Sequence, residues 1–201
     1  MTDHITIQFS TTTSTTWRQK WTNRASLLIR AILHGSPFSH CGFVMGDETI
    51  LDATDSPDAP ICLTTPAGNP RGVALRPGSY QEWGTRRRMV LRTDKADAII
   101  AAAMSQLGKP FDSSAVSFRS FIDTDGFPRD KPWHDPSSWF CAEYVTWSEE
   151  IGGFWDHALI YPKQRISPID NLMLHVTDPR FINRRIFWQP VAGLKLGVYE
   201  S

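Results

Sequence analysis

Phe38-Ser39-His40-Cys41-Gly42-Phe43-Val44-Met45-Gly46-Asp47-Glu48-Thr49-Ile50-Leu51-Asp52-Ala53 is the stretch on which the fold turns. Two β-prone runs, His40 to Met45 and Thr49 to Ala53, flank Gly46-Asp47-Glu48, so the segment predicts an antiparallel hairpin. Side chains alternate across such a ribbon: His40, Gly42 and Val44 take one face, Cys41, Phe43 and Met45 the other. By that alternation Cys41 points away from His40 and packs. A turn centred near Gly46-Asp47 sets His40 roughly opposite Asp52, where facing side chains come within about 4.5–5.5 Å. A carboxylate there can accept a bond from the imidazole and fix its tautomer. Gly42 leaves room on that face for another group to approach. The plainer reading of Asp52 is a strand-ending residue that caps the turn toward Asp55-Ser56-Pro57. The pairing favours the first.

Outward from the hairpin, Ile5-Thr6-Ile7-Gln8-Phe9 alternates as a half-buried strand does. Thr22 or Asn23 can cap a helix carrying Ala25, Leu27, Leu28, Ala31 and Ile32, which Gly35-Ser36-Pro37 stops. Thr54 to Pro70 is rich in Pro, Asp, Thr and Gly and reads as a long loop. Val73-Ala74-Leu75-Arg76 and Met89-Val90-Leu91-Arg92 are two further strands. Asp94 caps a helix with apolar residues at Ala96, Ile99, Ile100, Ala103, Met104 and Leu107, a spacing that buries one face. Phe111 to Ile122 holds a short helix, and a proline-containing loop runs from Asp123 to Ser138. A helix from Cys141 to Ile151 follows, capped by Ser137 or Ser138 and ended by Gly152-Gly153. Ser167-Pro168-Ile169-Asp170 opens another, and Arg185-Ile186-Phe187-Trp188 is a last strand. With no internal repeat or linker, the pattern is one α+β domain over residues 1–201, an antiparallel sheet with helices against it.

Composition narrows the function classes. Lys+Arg and Asp+Glu balance at 21 each, so no net field favours nucleic acid. Arg86-Arg87-Arg88 reads as the solvated beginning of a strand rather than a phosphate site. Three cysteines without CxxC spacing argue against a disulfide framework and against structural zinc. No apolar run approaches the roughly 20 residues of a spanning helix. The start, Met1-Thr2-Asp3-His4, lacks the basic-then-apolar pattern of a signal peptide, so the expectation is a product of the cytoplasm. Oligomeric state is not encoded in any of this.

Cys141 carries the chemistry. It lies in Trp139-Phe140-Cys141-Ala142-Glu143-Tyr144-Val145, where loop becomes helix. A thiol in the first helical turn feels unpaired backbone N–H groups and the positive end of the helix dipole, which favour the thiolate. Those N–H groups can also hold an oxyanion. The competing reading is a small buried hydrophobe. A lone strand histidine such as His40 is more often structural than catalytic, and only the company of Cys141 and Asp52 lifts it. Glu143 reads first as a helix-dipole partner, with a loop-anchoring role second. Ser39, Trp139 and Phe140 are candidates for supporting substrate or the helix start. His134, in the loop before the cysteine, is the rival base. His34 and Ser36 read as structural, and His157 and His175 have no supporting context.

The order His–acid–Cys in these motifs resembles the circularly permuted NlpC-type papain-like hydrolases, a group that includes YiiX-like proteins and, more distantly, lecithin–retinol acyltransferase. Leu51-Asp52-Ala53, Gly72-Val73, Leu107-Gly108-Lys109-Pro110-Phe111-Asp112 and Ile166-Ser167-Pro168 fit the same pattern. The resemblance covers about residues 5–175 and leaves a C-terminal extension of about 176–201. It implies a permuted papain-like core with the nucleophile at the start of a late helix. It implies Cys141 as nucleophile, His40 as base and Asp52 as the group orienting it, where the family more often has Glu or His. It implies no metal and no organic cofactor. The substrate would be a peptide amide, as in cell walls, attacked through an acyl-enzyme. Two alternatives stay open. One is an acyl or thioester hydrolase or transferase, with an apolar groove around Trp133, Trp139 and Phe140. The other is a non-catalytic binding module on the same fold, suited to a phage or virion-associated product.

Overall fold

The computed structural model describes residues 3–11, 38–55, 59–63, 71–78, 86–112, 137–155, 166, 168–177 and 187–189. Strands β1 (His4–Ser10), β2 (His40–Val44), β3 (Ile50–Thr54), β4 (Gly72–Arg76), β5 (Arg86–Arg92) and β6 (Phe187–Gln189) form one sheet in the order β4-β3-β2-β1-β5-β6. Every neighbouring pair is antiparallel. Helices α1 (Ala96–Met104), α2 (Cys141–Ile151) and α3 (Pro168–Thr177) complete the described elements. The architecture is thus α+β with an antiparallel sheet.

Period-2 patterning explains which face is covered. Ile5, Ile7 and Phe9 of β1 share a buried cluster with Cys41 and Phe43 of β2, Leu51 and Ala53 of β3, Val73 of β4, and Met89 and Leu91 of β5. Ile99 and Ala103 of α1 and Tyr144 and Val145 of α2 close it from the helical side. Burying one such Ile, Leu or Phe contributes about 1.5–3 kcal/mol, so this layer holds helix to sheet. The Phe43 and Tyr144 rings meet edge to face with centroids 6.2 Å apart, which lays α2 along β2. Tyr144 also donates its hydroxyl to the Ala103 carbonyl at 3.0 Å, tying α2 to α1.

Part of the opposite face of the strands is polar yet also buried. Gln8, Ser10, His40, Asp52, Arg76 and Arg88 are each less than a tenth exposed. Arg86-Arg87-Arg88 begins β5 as expected, paired with Ser10, Phe9 and Gln8; Arg86 and Arg87 are half-buried, and the correction is Arg88, which is buried rather than solvated. Arg88 donates to Gln8 Oε1 at 3.0 Å and to Glu48 Oε2 at 2.5 Å. Those acceptors satisfy a guanidinium that sequence alone leaves to water.

Three other local expectations change. The hairpin turn is Gly46-Asp47-Glu48, closed by Met45 N–H to Thr49 C=O at 2.8 Å, with Glu48 left-handed at φ 64. A three-residue loop with αL at its end centres the hairpin on Asp47. Phe43 therefore faces Leu51 and Val44 faces Ile50, and continuing the ladder sets Asp52 across from Gly42 rather than His40. Lys95, not Asp94, is the N-cap position of α1, and Thr93 Oγ1 accepts the Lys95 N–H at 3.1 Å. Phe140, not Ser137 or Ser138, occupies the N-cap position of α2. The helix expected after Thr22 and nearly all of the one expected from Phe111 to Ile122 lie outside the described residues. β6 falls in the stretch beyond residue 176 and joins the sheet beside β5.

Candidate active site

The approach to α2 is anchored before the helix begins. Trp139 makes a parallel bridge with Phe111. Its backbone N–H donates to Pro110 C=O at 3.0 Å, and its C=O accepts from Asp112 N–H at 3.0 Å. The indole Nε1 donates to Gln106 Oε1 at 3.1 Å. The segment Gln106–Asp112 therefore fixes where the chain turns into α2. Phe140 follows in extended conformation (φ −90°, ψ 151°), and Cys141 is the first helical residue. Phe140 has no oxygen with which to cap the helix. Glu143 supplies the reverse half of a capping box, its carboxylate reaching the Phe140 N–H at 3.5 Å. The first intrahelical bond runs from Tyr144 N–H to Phe140 C=O at 2.9 Å, so the Cys141 and Ala142 N–H groups precede the ladder at the positive end of the helix.

His40 begins β2 and Asp52 sits in β3 on the same face. His40 Nε2 and Asp52 Oδ2 are 2.6 Å apart, a short, buried, charge-assisted bond. The pair meets on the diagonal across Gly42, which is why the shifted register does not break it. His40 and Cys41 are the groups that act on the Cys141 sulfur, by charge and by hydrogen bonding.

Electrostatics follow from those contacts. For Cys141, burial opposes the thiolate. A hydrogen bond from the Cys41 thiol, the charge and hydrogen bond of His40, and the Cys41 backbone N–H outweigh it, bringing the pKa from 9.0 down to about 5. For His40, burial again favours the neutral form. The negative charges of Cys141 and Asp52, with their hydrogen bonds, overcome it and raise the pKa from 6.5 to about 10. Cys41 is the opposite case: burial and the neighbouring Cys141 sulfur hold its thiol well above the usual range. These contacts favour thiolate on Cys141 and imidazolium on His40, with the Cys41 thiol held neutral beside them. Strand alternation missed this role for Cys41. Its side chain does enter the core, but the core at that point is the start of α2.

Of the other sequence candidates, Glu143 is 2% exposed and serves the helix start, while Trp139 is 1% exposed and packs in the core, its ring centroid 4.9 Å from that of Trp147. Phe140 is buried against Phe111. Ser39 is half-buried, and its backbone N–H donates to Ser10 C=O at 3.0 Å, continuing the β1–β2 ladder. Trp133, His134, His34, Ser36 and His157 lie outside the described residues.

Two groups were not singled out from sequence. Arg76 ends β4 fully buried, its Nε donating to Asp52 Oδ1 at 2.9 Å. A strand-terminal arginine reveals this only once the β3–β4 register, with Asp52 opposite Ala74, is known. The second is His175, whose Nε2 lies 2.8 Å from Glu149 Oε1, both side chains fully buried between α2 and α3. Asn171 adds bonds to Thr146 Oγ1 at 3.0 Å and Glu149 Oε2 at 3.2 Å.

Among the described residues no cluster of three His, Cys, Asp or Glu side chains could hold a metal ion, and no helix is long and apolar enough to cross a membrane. Comparison with protein-family models and with characterised proteins finds no match to this chain.

Proposed function

We propose that the protein is a cysteine hydrolase acting on an amide, with Cys141 as nucleophile, His40 as proton carrier and Asp52 as the residue that orients it. The observation carrying this reading is the 2.6 Å bond from His40 to Asp52, supported by the effect of His40 on the helix-initial thiol of Cys141, whose pKa it lowers. The resemblance to permuted NlpC-type papain-like hydrolases points the same way. We read the α+β frame, with its sheet strands before a late nucleophile helix, as that permuted core.

On this reading the groups present define the steps. The Cys141 thiolate attacks the carbonyl carbon, and the oxygen takes the electron pair beside the backbone N–H groups at the start of α2. His40 gives its proton to the nitrogen as the C–N bond breaks, leaving a thioester on Cys141 and releasing the amine. A water then loses a proton to His40 and attacks the thioester. The acid leaves, and thiolate and imidazolium are restored. An amine is a poor leaving group without that proton, so a protonated imidazole beside the sulfur suits amide cleavage. Trp139 in the core removes one wall of the apolar groove that a lipid-directed enzyme would use.

The test is intact-mass detection of an acylated enzyme from peptide-amide, ester and thioester substrates, with Cys141→Ala as control. Acylation by a peptide amide, mapped to Cys141 and absent from the alanine variant, is the expected result. Acylation by thioesters alone would transfer the reading to an acyl-directed enzyme. No acylation by any class would leave a binding module.

A further inference from the structure

We infer that Arg76 is a positioning residue of this site: its guanidinium fixes the Asp52 carboxylate beneath His40 and supplies the cation that balances the buried sulfur anion. The inference rests on the thiolate–imidazolium reading above and deepens it. Asp52 splits its two oxygens, Oδ1 to Arg76 Nε at 2.9 Å and Oδ2 to His40 Nε2 at 2.6 Å. Neither partner on the Arg76 side is exposed at all. The guanidinium is held at two further points, Nη1 to Ala59 C=O at 3.3 Å and Nη2 to Gly72 C=O at 3.0 Å. It cannot swing away, so neither can the carboxylate it grips.

A buried guanidinium costs several kcal/mol of desolvation, and a strand needing only bulk at that place would carry Leu or Met. What the arginine adds is charge. Along the contacts Cys141, His40, Asp52 and Arg76 the signs alternate, minus, plus, minus, plus. Without Arg76 two anions share one cation in a buried site. The least costly repair is a proton on the sulfur, the most basic of the anions. The other titratable groups on the packed elements do not replace it. Cys41 on β2 stays a neutral thiol, and Tyr144 on α2 donates to Ala103 C=O. Glu143 is turned to the Phe140 N–H, Glu149 is engaged by His175, Lys109 stacks over the Trp139 ring, and Asp112 precedes the helix on the bridged segment.

The experiment is the pH midpoint of Cys141 alkylation by iodoacetamide in the full chain, with the modified cysteine assigned by peptide mass. It needs no substrate, so it stands apart from the identity of the reaction. Arg76→Met is expected to raise the midpoint by about one unit or more. Arg76→Lys, which keeps the charge, should stay nearer the native value even if it melts earlier. Arg76→Met/Asp52→Asn, which removes both charges, should bring the midpoint back down from that of Arg76→Met. A native midpoint in Arg76→Met, with His40→Ala shifted, overturns the role of Arg76 and leaves the Cys–His pair standing. A native midpoint in His40→Ala overturns both. Should Arg76→Met not fold, Asp52→Asn is compared with the double variant. Loss of the guanidinium from the asparagine background must again raise the midpoint, and equal midpoints overturn the inference.

Discussion

Gly42 lies next but one to His40, and the volume it leaves open is occupied by the acid. A Cβ placed on it would stand 2.7 Å from the Cβ of Asp52 and 3.0 Å from the Leu51 carbonyl oxygen. The second neighbour is backbone in a paired strand, so it cannot give way cheaply. Gly42→Ala is expected to push Asp52 off His40 and raise the midpoint of Cys141 alkylation by about one unit, the scale of a lost charge-assisted bond. An unchanged midpoint would show that the carboxylate is not what holds the imidazole. The same residues set the pH dependence of catalysis. Cys141 must be deprotonated, which is gained as pH rises through about 5. His40 must be protonated, which is lost as pH rises through about 10. The product of the two conditions is a broad plateau between those values. The profile of kcat/KM for hydrolysis is expected to be bell-shaped with those limbs. A single limb near pH 8.5, that of an ordinary thiol, would contradict the ion pair.

At the scale of elements, α2 is held by two different kinds of contact. Its first turn meets β2 through Cys141 and the Phe43–Tyr144 ring contact, while its last turns meet α3 through Glu149 and His175. Phe154 and Trp155 wall in the second contact, with ring centroids 5.5 and 5.1 Å from His175. His175→Leu removes the Nε2 contact to Glu149 Oε1 and leaves the buried Glu149 side chain with Asn171 and the Trp155 indole, both on Oε2. The expected loss is about 1–3 kcal/mol of unfolding free energy in urea, the scale of a buried acceptor left without its hydrogen bond. A loss under about 1 kcal/mol would mean that the pair does not fasten α2 to α3. Sequence spelled out α2 itself to the residue, because a helix-period apolar face and the Gly152-Gly153 stop leave little latitude. It did not reveal the clamp. His175 is one polar position in an otherwise ordinary amphipathic helix, and its partner lies on another element. Arg76 was hidden for the same reason, since the neighbour that gives it meaning is set by register and not by spacing. The hairpin was legible as a hairpin. Its pairing was off by two residues, Gly42 rather than His40 facing Asp52, because Glu48, a residue that rarely takes φ 64, holds the left-handed place where glycine is expected.

Across the whole molecule, β1 divides the sheet into two halves with different work. β2, β3 and β4 on one side carry His40, Asp52 and Arg76, while β5 and β6 on the other carry none of them. The strand order is also why the acid and base meet. Consecutive strands β2, β3 and β4 are neighbours, so three polar residues spaced along the chain fall side by side on one buried face. The first strand, by contrast, is placed centrally by pairing with both β2 and β5, its seven-residue ladder to β5 matching His4 to Arg92 and Ser10 to Arg86. The far edge belongs to β6, where Arg88, Met89 and Val90 pair with Gln189, Trp188 and Phe187. Removing residues 187–201 would uncover that edge of β5 and forfeit a three-residue ladder, worth about 1–3 kcal/mol at roughly 1 kcal/mol for each hydrogen bond. The site is separated from that edge by β1 and β5. Truncation should therefore lower the urea midpoint of unfolding while leaving the pH midpoint of Cys141 alkylation at its native value. A truncated chain with native stability would show that β6 adds nothing to the sheet. A truncated chain that keeps its stability but shifts the alkylation midpoint would show that the two halves are coupled through β1, against the division of labour argued from the strand order.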